Sequence, residues 1–225
     1  KCDDIQFQRS MEEEQINSED IFTTVRDSFI DQGLIFFGGY ANSLYGKYMP
    51  KKYKHTVRKI PDFDVLSNDP KKSAEIVKER LDENNIKNVK VQIQKGVGEI
   101  IAPHYEIKVG DETIAFIYRP LACHSYNVIK LSKRNVKIAS IDTMLSFYLA
   151  FIHINRKYYD PNRILCMAEF LFKIQQKNRL NQKGVLRRFS IDCYGKQETY
   201  ESIRARKKTM FEQLKHNRKS KEWDE

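Results

Sequence analysis

The 225-residue sequence has no apolar run approaching the ~20 residues that a bilayer-spanning helix needs, and no charged-then-apolar leader at its start. A membrane-embedded protein is excluded. Glycine and proline are scarce, at 9 and 6 residues, which excludes collagen-like, low-complexity and linker-dominated chains. The four cysteines, Cys2, Cys123, Cys166 and Cys193, are widely spaced, with no C-x-x-C pair and no histidine cluster beside them. A structural zinc finger needs close ligand pairs and is therefore not expected. A basic chain of this size can bury its own core without cross-links, so the cysteines are expected as free thiols in a reducing, cytoplasmic setting.

Charge is present in quantity and unevenly spread. Forty Lys and Arg stand against thirty Asp and Glu, a net +10. Residues 1–20 hold two cations and seven acids, a net −5, so the rest of the chain carries +15. A basic body of that size suits a polyanionic partner, because Lys and Arg displace counterions condensed on phosphates. Solubility alone is the plainer reason for such a charge. The sequence opens at Lys1 without a methionine, as an excised part of a longer protein would.

The apolar pattern predicts an α+β chain, with a mixed sheet flanked by helices and followed by a helical segment. A helix is expected over 20–31 with Ser18 as its N-cap, then a short buried strand at 34–37, two glycines, and a helix over 40–48. Residues 50–58 read as a basic loop, 62–66 as a strand, 70–85 as an amphipathic helix and 89–94 as a strand. A hairpin over 104–118 turns at Gly110-Asp111. Helices follow over 141–154 and 160–176, and the tail from Gly184 has no pattern of its own. The expected organisation is an acidic segment 1–19, a palm-like domain 20–135, a helical segment 136–183 packed on it, and a basic segment 184–225.

The chemistry concentrates in Phe36-Phe37-Gly38-Gly39-Tyr40-Ala41-Asn42-Ser43 and Pro61-Asp62-Phe63-Asp64-Val65. A strand that ends in two glycines before a helix lets backbone N–H groups approach a phosphate closely. Ser43 adds a hydroxyl in that helix. Asp62 and Asp64, two apart on a strand, project from one face. Two such carboxylates repel unless a cation sits between them, and hard oxygen ligands suit Mg²⁺ bound to phosphates. Singly, each element is commoner as a plain turn or a solvated acidic strand. Together, in order and at neighbouring strand ends, they are equipment for phosphoryl transfer.

This pattern resembles the nucleotidyltransferase superfamily of DNA polymerase beta. With Ile138-Ala139-Ser140-Ile141-Asp142 added, residues 20–175 are most similar to the poly(A) polymerase catalytic subunits of large DNA viruses. The resemblance implies ATP as substrate, two Mg²⁺ (or Mn²⁺) ions, and AMP transfer to the 3′ hydroxyl of RNA in the host cytoplasm, a viral factory or a virion. A homodimer or a second domain or subunit is the expected assembly. By the motif, Gly38, Gly39 and Ser43 hold the triphosphate, and Asp62 and Asp64 bind metal. The superfamily's third carboxylate falls on Glu106 in one alignment. In the other it falls on Ala115, where there is none, which weakens the catalytic reading. Lys130, with Lys133 and Arg134, is either a cation for triphosphate or RNA, or part of a solvated loop. His104, His124 and His153 read as packed side chains, and Tyr158-Tyr159 as stacking faces or helical core. Two rival readings stand beside the first. One is a nucleotidyltransferase acting on a protein, a tRNA end or a small molecule. The other is an inactive nucleotidyltransferase fold serving as a nucleic-acid-binding or dimerisation module.

Overall fold

The structure, a computed structural model, describes residue 2 and residues 18–48, 62–154, 159–188 and 190–215. The basic loop at 50–58, Tyr158 and nearly all of the acidic segment 1–19 lie outside the described residues.

Helix α1 (Ser18–Asp31) presents Ile21, Val25 and Phe29 at helical spacing, and all three are buried. After Gly33 the chain enters β1 (Ile35–Phe37), whose three residues are all buried because helices cover both sides of the strand. Phe36 packs on Phe29 from α1, whereas Phe37 stacks on Phe147 from the far side, with ring centroids 4.6 Å apart. Helix α2 (Gly38–Tyr45) starts directly at the strand's end, and β2 (Phe63–Leu66) returns beside β1. Helix α3 (Pro70–Glu83) is capped by the Asp69 carboxylate, which accepts from the Lys72 N–H, and Pro70 occupies the first turn.

Strands β3 (Val89–Gln94), β4 (His104–Val109) and β5 (Glu112–Tyr118) form an antiparallel edge, and β5 then runs parallel to β2. Strands β6 (His124–Leu131) and β7 (Arg134–Ala139) form a second hairpin, and β7 runs parallel to β1. Helices α4 (Ile141–Ile154) and α5 (Pro161–Lys177) follow, then β8 (Cys193–Tyr194) on β6 and α6 (Tyr200–Leu214). The sheet order is β3-β4-β5-β2-β1-β7-β6-β8, a mixed sheet flanked by helices, as the sequence predicts. One apolar cluster joins α1, the sheet, α4 and α5.

Four expectations need correction. Of the three cations after the first hairpin only Lys133 sits in an exposed turn: Lys130 lies on β6 and Arg134 on β7, where Arg134 pairs with Asp27 (3.2 Å) and Asp31 of α1. The boundary drawn at residue 135 consequently falls inside a central strand. The tail is also built into the fold, because β8 extends the sheet. Finally, the cysteines are paired, Cys2 with Cys166 and Cys123 with Cys193, at Cα separations of 5.3 and 5.2 Å. The partners lie 164 and 70 residues apart, so nothing local in the sequence marks them. The pairing removes the thiol argument for a reducing compartment. Among the described residues no helix is long and apolar enough to cross a membrane.

Candidate active site

Three consecutive elements, β1, α2 and β2, build the centre of the site. Gly38 leaves β1 with φ of +64°, a left-handed conformation that side chains strain to adopt. In the antiparallel register of β1 and β2, Phe37 lies opposite Asp64. The Asp64 carboxylate therefore rests directly on Gly38: a Cβ at that position would stand 2.0 Å from Asp64 Oδ2. Asp62, two residues earlier, projects from the same face. Between them Phe63 points to the other face, against Phe22, Phe36 and Tyr40. That aromatic anchor is what holds two poor strand formers in place. Helix α2 begins at this point, and Phe37 at its N-cap offers no side-chain acceptor.

A narrow cleft opens over these residues, with about 50 Å³ of space. Its floor is Gly38, Gly39, Asp62 and Asp64; β5 adds Phe116 and Tyr118, and α4 and α5 add Tyr148, Phe151, Arg163 and Met167. Tyr159 completes the aromatic wall, stacked on Phe151 at 4.5 Å with its hydroxyl 3.3 Å from that of Tyr118. Tyr148 is buried and accepts a 2.7 Å hydrogen bond from Asn42 Nδ2. Burial pushes its hydroxyl pKa up and the Asp64 carboxylate pushes the same way, against the opposing influence of the Asn42 hydrogen bond and the Arg163 charge. The group is thus a neutral phenol beside the acidic pair. The Asn42 Oδ1 atom is buried without a hydrogen-bond partner.

The structure brings together four of the sequence-predicted residues, Gly38, Gly39, Asp62 and Asp64. Ser43 does not line the cleft, and its hydroxyl donates 2.6 Å to the Tyr40 carbonyl. Lys130 is exposed on β6, three strands away from β2 in the sheet. Glu106 shares a cross-strand row with Phe116 and Asp64, but Phe116 stands between the two acids. Two strand spacings separate their backbones, roughly 10 Å. The Glu106 carboxylate is buried and taken up by Gln94 Nε2 (2.5 Å) and Thr113 Oγ1. Ala115, the rival position, pairs with Phe63 and lies in the core on the opposite face. Among the described residues no three His, Cys, Asp or Glu side chains converge as a metal site.

Two of the three histidines pack as the sequence suggests: His104 stacks on Tyr118, and His124 lies on Phe147 with its pKa lowered by burial, whereas His153 is exposed on α4. Sequence reasoning missed Asn42, Tyr148, Phe116 and Arg163 as parts of the site. Asn42 and Tyr148 are 106 residues apart, and no local pattern connects them.

No known family's profile matches the sequence, and no curated protein matches it. Among solved structures the chain is similar to the Megavirus polyadenylate synthase, at TM-score 0.66 and 15% identity, over 94% of this chain and 46% of that one. It thus spans about half the length of that protein. More distant similarities are to the antibiotic-resistance factor ANT(2″)-Ia (TM-score 0.42, 11% identity, 88% of this chain and 97% of that one). A further one is to an antigenic nucleotidyltransferase-like protein from Paracoccidioides brasiliensis (TM-score 0.40, 12% identity, 70% and 77%). A mixed sheet in which a strand, a glycine pair and a helix hold an Asp-x-Asp strand is thus a fold that the chain shares, over 94% of its length, with that polyadenylate synthase.

Proposed function

We propose that the chain is a nucleotidyltransferase that moves AMP from ATP to the 3′ hydroxyl of RNA. The observation that carries the reading is the seating of Asp64 on Gly38, with Asp62 beside it, at the floor of a cleft. The chemistry of the carboxylate pair fits divalent cations of the Mg²⁺ or Mn²⁺ kind. Such ions take oxygen ligands and fill their remaining positions with phosphate oxygens and water. Bound there, they would supply charge stabilisation on the phosphates and a lowered pKa for the acceptor hydroxyl.

The chain's own residues do the rest. Asp62 and Asp64 hold the cation side of the site, and Glu106 is left to its strand contacts. Gly38 and Gly39 let the phosphates approach the backbone and the positive end of α2. Phe151, Tyr159 and Tyr118 wall the cleft against water and offer ring faces to a base. In the transfer, the acceptor oxygen bonds to the α-phosphorus as the bond to the bridging oxygen breaks. Pyrophosphate leaves, and the hydroxyl proton passes to water. RNA as acceptor is supported by the net +10 charge and by the similarity to a polyadenylate synthase.

The test is incubation of the protein with labelled oligo(A), Mg²⁺ or Mn²⁺, and each nucleoside triphosphate in turn. Extension restricted to ATP is expected. Transfer to a protein, a tRNA end or a small molecule without primer extension would replace RNA as acceptor. No transfer to any acceptor would leave an inactive binding module.

A further inference from the structure

We infer that Arg163 is a second phosphate contact of the cleft, gripping the polyphosphate tail of a nucleoside triphosphate from the side opposite the carboxylate pair. The inference rests on the nucleotidyl-transfer reading of the same cleft.

Arg163 sits in the first turn of α5, three residues after the N-cap Asp160. The Asp160 carboxylate is committed to the helix start, accepting from the Asn162 N–H at 2.9 Å. Arg163 itself lines the cleft with Gly38, Gly39, Asp62 and Asp64. It makes no hydrogen bond or ion pair among the described residues, although it is half-buried. Its charge nevertheless acts on the Tyr148 hydroxyl, the same group on which the Asp64 charge acts with the opposite sign. Cation and carboxylates thus face a common space without closing on one another.

The helix that delivers Arg163 is fixed. Ile164 and Met167, its neighbours on α5, are buried, and Tyr159 just before the helix stacks on Phe151. A partly desolvated guanidinium with no anion of its own is costly, and one held open beside a phosphate site is ready for a bidentate contact. Among the described residues no carboxylate side chain pairs with Arg163, which leaves that place to an anionic ligand of the cleft. A β,γ-phosphate pair has the charge and the paired oxygens for such a contact. A monophosphate lacks that tail.

The experiment measures binding of ATP, AMP, inorganic pyrophosphate and oligo(A) in the presence of Mg²⁺ for the wild-type chain, Arg163→Ala and Arg163→Lys. In Arg163→Ala, affinity for ATP and pyrophosphate should fall roughly tenfold or more, with AMP and oligo(A) unchanged. Arg163→Lys, which keeps the charge but not the planar fork, should fall between. The melting temperature reports whether each variant is folded. If folded Arg163→Ala binds ATP and pyrophosphate as the wild type does, the inference is overturned. The same holds if it loses oligo(A) or AMP in equal measure. A wild-type chain that binds pyrophosphate but no nucleotide would sink the nucleotidyl-transfer reading and leave Arg163 as an anion contact. One that binds neither would remove both.

Discussion

At the scale of single residues, the site turns on one close approach. Gly38 is needed twice, for its positive φ and because Asp64 Oδ2 occupies the place of a Cβ. Gly38→Ala should therefore cost about 1–3 kcal/mol in stability and also push the Asp64 carboxylate off its seat. Thermal melting reads the first effect and nucleotide transfer the second. Gly33 is the contrast. Its φ is also positive, at +67°, yet a Cβ there meets only the flexible tip of Lys137 at 3.5 Å, so Gly33→Ala should leave transfer intact. If both variants behave alike, Gly38 has no special relation to Asp64. The glycine pair and the Asp-x-Asp pair were legible in the sequence because each is a local pattern. Glu106 was misleading for the same reason: an acid between apolar neighbours looks identical whether it faces a metal or accepts from Gln94 and Thr113.

Elements were legible where their turns and caps follow the common chemistry. The β4–β5 hairpin turns at Gly110, and Asp69 with Pro70 marks the start of α3. The strand β3 was legible to the residue from its alternation, Val89, Val91 and Ile93. The β6–β7 hairpin was not, and the reason is its turn. Ser132 and Lys133 both take positive φ, 46° and 69°, as a type I′ turn demands, but neither is the glycine or asparagine that would announce it. The strain predicts a gain on relief. Lys133→Gly should stabilise the protein by about 0.5–1 kcal/mol, seen as a rise in melting temperature with transfer unchanged. A drop in stability would mean that the turn gains more from its side chain than it loses to strain. Helix α6 was hidden differently: none of its residues is buried, so no apolar stripe marked it. It is held by exposed ion pairs, Arg206 to Glu99 and Glu198 and Lys207 to Glu99, each of which salt weakens.

For the whole molecule, the sheet fixes where the chemistry lies. Helix α1 packs on one face, α4 and α5 on the other, and the cleft forms where β1 turns into α2 beneath α4 and α5. Long-range pairings of this kind were illegible in a single sequence, the cysteines most of all. Alkylation of the denatured, unreduced protein should find no reactive thiol among the four cysteines. Reduction should lower stability by about 2–4 kcal/mol per bond lost. Four alkylated thiols would restore the free-cysteine reading.

The central claim is that Asp62 and Asp64, and not Glu106, form the acidic centre of transfer. Primer extension with ATP, run side by side on Asp64→Asn and Glu106→Gln, tests it most directly. The account predicts that Asp64→Asn loses transfer by a factor on the order of 10³ while remaining folded, since a cation-binding carboxylate is gone. It predicts that Glu106→Gln keeps transfer within a fewfold and loses about 1 kcal/mol of stability, because one of its two donors is left unmatched. Retained transfer in Asp64→Asn, or a loss in folded Glu106→Gln as deep as that expected of Asp64→Asn, would contradict it.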